Sequence, residues 1–566
     1  MHDFSSLINK HQPVLEEALR SNAERNQLLS WPKSLRINIL KDEDARNAGQ
    51  AAFEAHINSE FSALNIEGAT DFFGAEESPY GFSLEVSYPL QDIDTVVHAA
   101  RDAIKEWRSL SVSARAAVLM ECLERAADKA AEIGFATMHT TGQGLIMAFQ
   151  ASGGDAFDRA LEAVAMGYRE LSAFVPNNVW TKQVGRDEFV TVHKSFHAVP
   201  RGVNLVVGCS TFPIWNSTPG MFAGLITGNT VVVKPHPGAI LPIAIFVASM
   251  RATLADLGLN HNIVQLFVDT AGDPQTMDLA MHPDVKLIDY TGSSAFGDEL
   301  EKVGRENNKA VFTEKSGVNS VIIESADDLD AVLDNLAFSM VLYSGQMCTA
   351  PQTIFINGSG VTVGDETVPY GEVVDRLTEK VMDLSRHPKI GAATLGALQN
   401  EATEDRVAAA ADMDEGRLLL ESERLGQPGF PQARTVTPTV IELKAEQSDV
   451  YGREWFGPVY FVVPTKNFEH SLELMSNLVK RVGALTTSVY STDAAQRALA
   501  EDRIVFEAGA PLAFNFVGKL WVNQSAAFSD FHGAGANPAG SATFSDVSFI
   551  ANRYHMVGVR DMTPRA

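Results

Sequence analysis

The chain reads as an α/β protein built on parallel sheets. Three observations predict this class. Short apolar strands alternate with helical stretches between residues 203 and 290, at the spacing of βαβ units. A second strand–helix–strand succession begins near Thr313. Two segments with strand character, 186–199 and 540–560, stand outside both successions, as an arm and a tail placed to pair across subunits would.

Residues 1 to about 80 form an extension. Helical patterns cover Leu15–Leu29 and Asp42–Glu60, and a loop follows with Gly68, Phe72, Phe73, Gly74 and Pro79. Residues 93–134 predict two amphipathic helices. In the second, Ala114, Val118, Leu119, Cys122, Leu123 and Ala126 recur at helical spacing, so Cys122 belongs to a core stripe. The strands of the first succession are Val203–Gly208, Thr230–Pro235, Ile263–Phe267 and Val285–Tyr290, with a helix over Ile240–Leu257. Ligands of open parallel sheets lie beyond the carboxyl ends of the strands, so the residues just after each strand are the ones to watch. In the second succession, Val318–Ile323 is a strand and Leu329–Leu342 a helix that Ser344-Gly345 stops. Later strands are predicted at Pro458–Val463 and Leu485–Tyr490.

Composition removes several classes. Of 566 residues, 45% are hydrophobic and 20% charged, as in a globular chain with sizeable cores. A net charge of −26 repels phosphate backbones and argues against nucleic acid as a partner. Three cysteines are too few for a disulfide framework or a Cys-rich zinc site, and they suit a reducing, cytoplasmic compartment. The N-terminus lacks the apolar core of a signal peptide. The apolar stretch Ala239–Met250 is shorter than the ~20 residues a membrane helix needs. No HExxH pattern, calcium loop or phosphate-binding Gly-x-x-x-x-Gly-Lys-Ser/Thr loop is present, so no metal site is expected.

Two residues carry candidate chemistry. Cys348 follows an apolar helix in the turn Ser344-Gly345-Gln346-Met347-Cys348, and another apolar strand comes after it. A turn exposes a thiol that a helix face would bury, and an exposed thiol suits covalent attack on a carbonyl. Glu314, in Phe312-Thr313-Glu314-Lys315-Ser316-Gly317, sits at a strand end, poorly placed for a core and well placed for a cleft. Taken singly, a packing thiol and a solvated carboxylate are the commoner uses of such residues.

Taken together, five ordered motifs make the chain resemble the aldehyde dehydrogenase superfamily over about residues 80–560. Glu314-Lys315-Ser316-Gly317 resembles its general-base motif. Gly345-Gln346-Met347-Cys348 resembles its nucleophile motif, 34 residues further on. Glu454-Trp455-Phe456-Gly457-Pro458, Tyr290-Thr291-Gly292-Ser293 with Gly297, and Gly228-Asn229-Thr230 running to Lys234-Pro235 resemble three more. The resemblance implies an aldehyde dehydrogenase-like fold. A Rossmann-type dinucleotide-binding domain would span 81–312, interrupted by an arm at 176–199. An α/β catalytic domain would span 313–530, with a C-terminal oligomerisation tail at 531–566 and the helical extension at 1–80.

It also implies roles. Cys348 would attack an aldehyde, and Glu314 would activate the water that cleaves the resulting thioester. Glu454 would hold the nicotinamide ribose, Phe456 would pack near the nicotinamide, and Lys234 would bind the adenosine ribose. Gly292 and Ser293, with Gly297 behind them, would meet the pyrophosphate at a helix N-terminus. A homodimer or homotetramer is implied.

Departures sharpen the expectations. Where the family places an asparagine that holds the oxyanion, this chain has Thr211, in Cys209-Ser210-Thr211-Phe212-Pro213. Either Thr211 compensates, Asn216 reaches in, or the carbonyl is unusual. Pro237 stands where a carboxylate often follows the ribose lysine, and without that charge the reading favours NADP over NAD. The extension, the phrase Phe212-Pro213-Ile214-Trp215-Asn216-Ser217-Thr218-Pro219-Gly220 and the Glu-Lys-Ser-Gly variant resemble the PaaN type of phenylacetate catabolism. That implies an aldehyde from aromatic-ring opening, free or carried on coenzyme A. The alternatives are a dinucleotide-binding member with impaired turnover and a coenzyme A-acylating dehydrogenase.

Overall fold

The computed structural model describes residues 3–28, 40–66 and 71–563. Leu29 and Gly68, placed by the sequence in a helix and a loop, lie outside them. The first helix spans Ser5–Glu24, starting earlier than expected, because the apolar stripe already includes Phe4, Leu7 and Ile8. Arg25 ends it in the left-handed region. A second helix, Glu43–Glu54, starts at Asp42, whose carboxylate accepts from the N–H groups of Asp44 and Ala45. The extension docks on the following helices. Lys10 and His11 both reach Glu121 of the helix Val112–Ala127, at 2.7 and 2.9 Å. Residues 93–141 form three helices, Ile93–Trp107, Val112–Ala127 and Ala130–Thr141, so the predicted pair gains a third. Cys122 is buried in the core.

A five-stranded, wholly parallel sheet runs in the order Ala310–Glu314, Val285–Thr291, Val203–Val207, Thr230–Lys234 and Val264–Leu266. Its inner strands are mostly apolar and almost wholly buried, as cover by helices on both faces requires, with Asn204 and Asp289 as buried polar exceptions. The chain leaves Val203–Val207 in opposite directions on its two sides, which opens a crevice at the carboxyl ends. Because Ala310–Glu314 completes this sheet, the 312/313 division read from the sequence falls inside a strand.

A seven-stranded sheet follows. Its order is Arg417–Leu420, Thr439–Glu442, Val459–Thr465, Pro351–Asn357, Asn319–Ile323, Thr487–Tyr490 and Leu512–Phe514. All its neighbours are parallel except the outermost pair, Arg417–Leu420 with Thr439–Glu442. The sequence located three central strands and the apolar strand after Cys348. The short edge strands carry too little pattern to announce themselves.

Asn177–Gln183 and Phe189–Pro200 form an antiparallel hairpin, and Tyr554–Asp561 pairs along the second of them within the same chain. The arm and tail expected to reach across subunits therefore meet each other, leaving Val179, Trp180, Phe189, Val557 and Val559 exposed. Arg553 anchors the tail beneath the first sheet. Its guanidinium bonds both oxygens of Asp289, at 2.6 and 2.8 Å, and the Asn204 carbonyl at 3.0 Å, and it is fully buried. Among the described residues, no helix is long and apolar enough to cross a membrane.

Candidate active site

The strand Ala310–Glu314 delivers Glu314 to the carboxyl edge of the first sheet. Its carbonyl accepts from Gly292 N–H at 3.1 Å, and the main chain of 313–315 is bracketed by residues 539–541. The helix Leu329–Val341 delivers Cys348 from the other side. After it, Tyr343, Ser344 and Gly345 all take positive φ, near 52°, 49° and 62°, which turns the chain sharply. Gly345 is required there for a second reason: a Cβ would come within 2.3 Å of the Tyr460 hydroxyl and 2.7 Å of the Gly457 carbonyl. Asn319 then fixes the turn by donating to the carbonyls of Cys348 and Ala350, at 2.8 and 2.9 Å.

The two delivered groups meet. The Cys348 sulfur, a carboxylate oxygen of the buried Glu314 and a ring nitrogen of His532 all lie within 4.8 Å of one another. Glu314 Oε1 accepts from Asn216 Nδ2 at 3.3 Å, and His532 Nε2 lies 3.0 Å from Oε2. Burial alone would raise the Glu314 carboxyl, but the His532 charge, together with Cys348 and Asn216, holds it below its ordinary value. Burial and the adjacent carboxylate push the Cys348 thiol well up. At rest the proton therefore sits on sulfur with an ionised acceptor beside it, and attack on a carbonyl requires that proton to move to Glu314.

Cys348 also stands between two openings. On one side is a cavity of about 460 Å³ walled by Phe212, Trp215, Met147, Phe338 and Trp521, with Asn216 and His532 at its floor. Phe338 and Trp521 stack with centroids 4.1 Å apart. No lysine or arginine lines this cavity among the described residues, and its wall carries Asp155, which burial pushes up to about 6. On the other side a narrow crevice joins Cys348 to Glu454, Phe456 and Gly317. Glu454 lines this crevice beside Gly317, and its burial raises its pKa.

Further along the edge of the first sheet, Gly292 and Ser293 lead into the helix Ser294–Asn307, whose N-terminus has no side-chain cap and so keeps free N–H groups. A Cβ at Gly297 would strike the Lys315 side chain at 2.7 Å. Lys315 itself pairs with Asp298 of that helix at 2.7 Å. Lys234 ends its strand with Nζ 2.7 Å from Asp269 Oδ1, both side chains buried. The uncapped N-terminus, the close-set glycine and the Lys234–Asp269 pair fit a dinucleotide lying across the crevice.

Two expectations need correction. Thr211 does not line the cavity. Its hydroxyl is turned to the Cys209 thiol and its carbonyl accepts from Gln143 at 2.7 Å, whereas Asn216, one turn into the helix Pro213–Ile226, presents its amide beside Glu314. The premise behind NADP also fails: position 237 has no carboxylate, but Asp269, after the next strand, brings one to Lys234. Sequence spacing from Lys234 could not reveal it, because the partner comes from another βα turn. His532 was read only as part of a tail. Its one signal is the turn Phe531-His532-Gly533-Ala534-Gly535, where both glycines take positive φ.

A parallel dinucleotide-type sheet, a second parallel sheet and a thiol–carboxylate pair between them define a two-domain α/β protein with a thiol site. Residues 87–532 match the aldehyde dehydrogenase family model, and the chain belongs to that family. It is similar to the crystal structure of an NAD-dependent aldehyde dehydrogenase from Burkholderia multivorans, with 41% identity, a TM-score of 0.94 and 99% of each chain covered. A 1-pyrroline-5-carboxylate dehydrogenase of Thermus thermophilus shares the fold, with a TM-score of 0.74, 18% identity, and 92% of this chain and 96% of that one covered. The 1-pyrroline-5-carboxylate dehydrogenase of Bacillus subtilis is 26% identical over 295 residues, 50% of this chain and 53% of that protein. The chain thus spans about half the length of the curated relatives it matches.

Proposed function

We propose that this protein oxidises an aldehyde that carries no free carboxylate to the carboxylic acid with NAD. The observation that carries the reading is Cys348 at the junction of an apolar cavity and the Glu454 crevice, its sulfur within 4.8 Å of the Glu314 carboxylate. The thiol proton passes to Glu314 as sulfur attacks the aldehyde carbon, forming a thiohemiacetal. NAD, when bound, supplies the hydride acceptor. Asn216 offers the amide N–H that the developing oxyanion needs, in place of the expected Thr211. Glu314 then releases the thiol proton to solvent, and as a carboxylate again it takes a proton from the water whose oxygen attacks and cleaves the thioester. In this reading Glu454 and Phe456 hold the nicotinamide end, Gly292, Ser293 and Gly297 the pyrophosphate, and Lys234 with Asp269 the adenosine ribose. Asp269 disfavours a 2′-phosphate, so NAD replaces NADP as the proposed cofactor.

The cavity narrows the substrate. An apolar wall with an acid, no lysine or arginine among the described residues, and a histidine already facing Glu314 disfavours a second free carboxylate on the aldehyde. The curated relatives are named for a carboxylate substrate; this cavity suits an apolar chain, or one whose far end is neutralised as a thioester. A ring-opening aldehyde of phenylacetate type meets that condition when carried on coenzyme A, and not as a free dicarboxylate semialdehyde. Hydrolysis is favoured over acyl transfer to coenzyme A because a carboxylate that can activate water, Glu314, stands within 4.8 Å of the sulfur. The test is reduction of NAD and NADP with hexanal, phenylacetaldehyde, a coenzyme A-linked semialdehyde and succinic semialdehyde. Turnover with NAD on the first three and not the last is expected. Preference for succinic semialdehyde would overturn the substrate reading, and no reduced cofactor from any of the four would overturn the activity.

A further inference from the structure

We propose that His532 is a positioning residue for the reaction assigned to this site: its ring is the cationic partner that keeps Glu314 ionised and turned to Cys348. The proposal rests on the dehydrogenase reading. It starts from a buried contact. His532 Nε2 lies 3.0 Å from Glu314 Oε2, with the side chains 3% and 4% exposed; the contact is one of distance, without hydrogen-bond alignment, and Nε2 has no hydrogen-bond partner among the described residues.

The ring is held from every side. It stands edge-on to Trp215, centroids 4.5 Å apart, and leans on Phe544 at 5.2 Å. Nδ1 lies 3.3 Å from Ser525 Oγ. That hydroxyl already donates to Asp530 Oδ1 at 3.0 Å and accepts from Arg159 at 2.8 Å. With its only proton committed to Asp530, Ser525 acts as acceptor towards the imidazole, so Nδ1 carries a hydrogen. Nε2 faces Glu314 Oε2 at 3.0 Å, where a bare nitrogen lone pair would oppose an ionised carboxylate, so the contact favours a hydrogen on Nε2 as well.

The other charged or titratable groups facing the ring do not replace it. Cys348 lies beside Glu314, Asp155 is on the same cavity wall, Asp530 acts through Ser525, and the Arg159 guanidinium is 5.4 Å from the Trp215 ring centre. Of the three side chains that reach Glu314, Asn216 and Cys348 are neutral, and only His532 can bring a charge. A buried carboxylate stripped of its cation holds its proton to higher pH. In the hydrolytic step the water O–H bond breaks towards Glu314, a C–O bond forms at the thioester carbon, and the C–S bond breaks with its electron pair on Cys348. A Glu314 that already holds a proton cannot take part.

The test is the pH profile of steady-state kcat with NAD and hexanal for wild type, His532→Gln and His532→Asn, alongside thermal melting. Loss of the cation is expected to move the acid limb upward by ~1–3 pH units and to lower kcat at pH 7 roughly 10- to 100-fold. Imidazole added to His532→Ala, whose vacated space opens on the cavity, is expected to restore part of the rate; a merely structural residue would give no such rescue. If none of the His532 variants folds, Ser525→Ala, which frees the ring, is expected to shift the limb in the same direction by less. An acid limb unmoved in the folded variants, with no imidazole rescue, overturns the proposal while leaving the dehydrogenase reading intact. A wild type that reduces no NAD removes that reading and this inference with it.

Discussion

At the scale of single residues, the proposed mechanism has the thiol proton on Cys348 until substrate arrives. Cys348 is held as a thiol by burial and by the Glu314 charge, so a surface-type thiolate is not available to stray electrophiles. Cys348→Ala should abolish reduction of NAD by any aldehyde while leaving NAD binding, followed by calorimetry, within a few-fold of wild type. Glu314→Gln should still release one equivalent of reduced cofactor per site, more slowly, and then stall; a linear time course without a burst would show that Glu314 does not serve the hydrolytic step. Asp269→Asn should remove the charge facing a 2′-phosphate and improve kcat/KM for NADP relative to NAD by roughly tenfold or more. An unchanged cofactor ratio would remove Asp269 from the ribose site.

A buried carboxyl away from the chemistry gives a pH prediction. Glu76 comes from the loop after the extension and accepts from the N–H groups of Ile240 and Leu241, at 2.6 and 3.0 Å, at the head of the helix Leu241–Asp256, while Tyr88 donates to its other oxygen. Burial pushes it up from 4.5 to about 7. A group whose folded pKa is raised contributes stability that is present below its unfolded pKa and is lost as pH rises through the folded value. Folding stability should therefore fall between about pH 4.5 and 7 by on the order of 3 kcal/mol from this group. Glu76→Gln should flatten that part of the denaturant-midpoint profile, and an unchanged profile would show that Glu76 is not its source.

At the scale of elements, the strands explain which motifs sit together. The ends of Thr230–Lys234, Val285–Thr291 and Ala310–Glu314 lie on one edge because all three are parallel in one sheet, so Lys234, Gly292 and Glu314 face one crevice. Their spacing in the chain was legible because strand, turn and helix each leave a pattern in apolar residues and glycines. The tail is tied to the same sheet by Arg553 and Asp289. Arg553→Met should cost about 3–5 kcal/mol, because it leaves Asp289 buried and without its cation. Pairing it with Asp289→Leu should recover much of that loss, and chemical denaturation of both variants distinguishes the ion pair from simple packing.

At the scale of the whole molecule, the arm hairpin and Tyr554–Asp561 make a three-stranded sheet with a largely exposed surface. We infer that a second copy covers it. A double substitution, Trp180→Glu with Val559→Glu, should lower the mass measured by light scattering while leaving the melting of the two inner sheets little changed. An unchanged mass would place the contact elsewhere, and a monomeric wild type would remove the inference.

The sequence by itself determined the α/β class and the inner strands of both sheets, which rest on local periodicity. The pairing of Cys348 with Glu314 came from the resemblance of their two motifs to a family, not from either residue's own surroundings in the chain. That resemblance also pointed to Glu454, Phe456, Gly292 and Lys234, and the structure sets each at a strand end, a turn or the crevice. Only the tertiary structure decided what completes the site. Asn216 stands where Thr211 was expected, Asp269 supplies the carboxylate missing at position 237, and His532 arrives from more than two hundred residues beyond Glu314. The reason is physical: side chains that act together through space need share no spacing, and the turns that bring them together are set by packing between sheets, which no local pattern encodes.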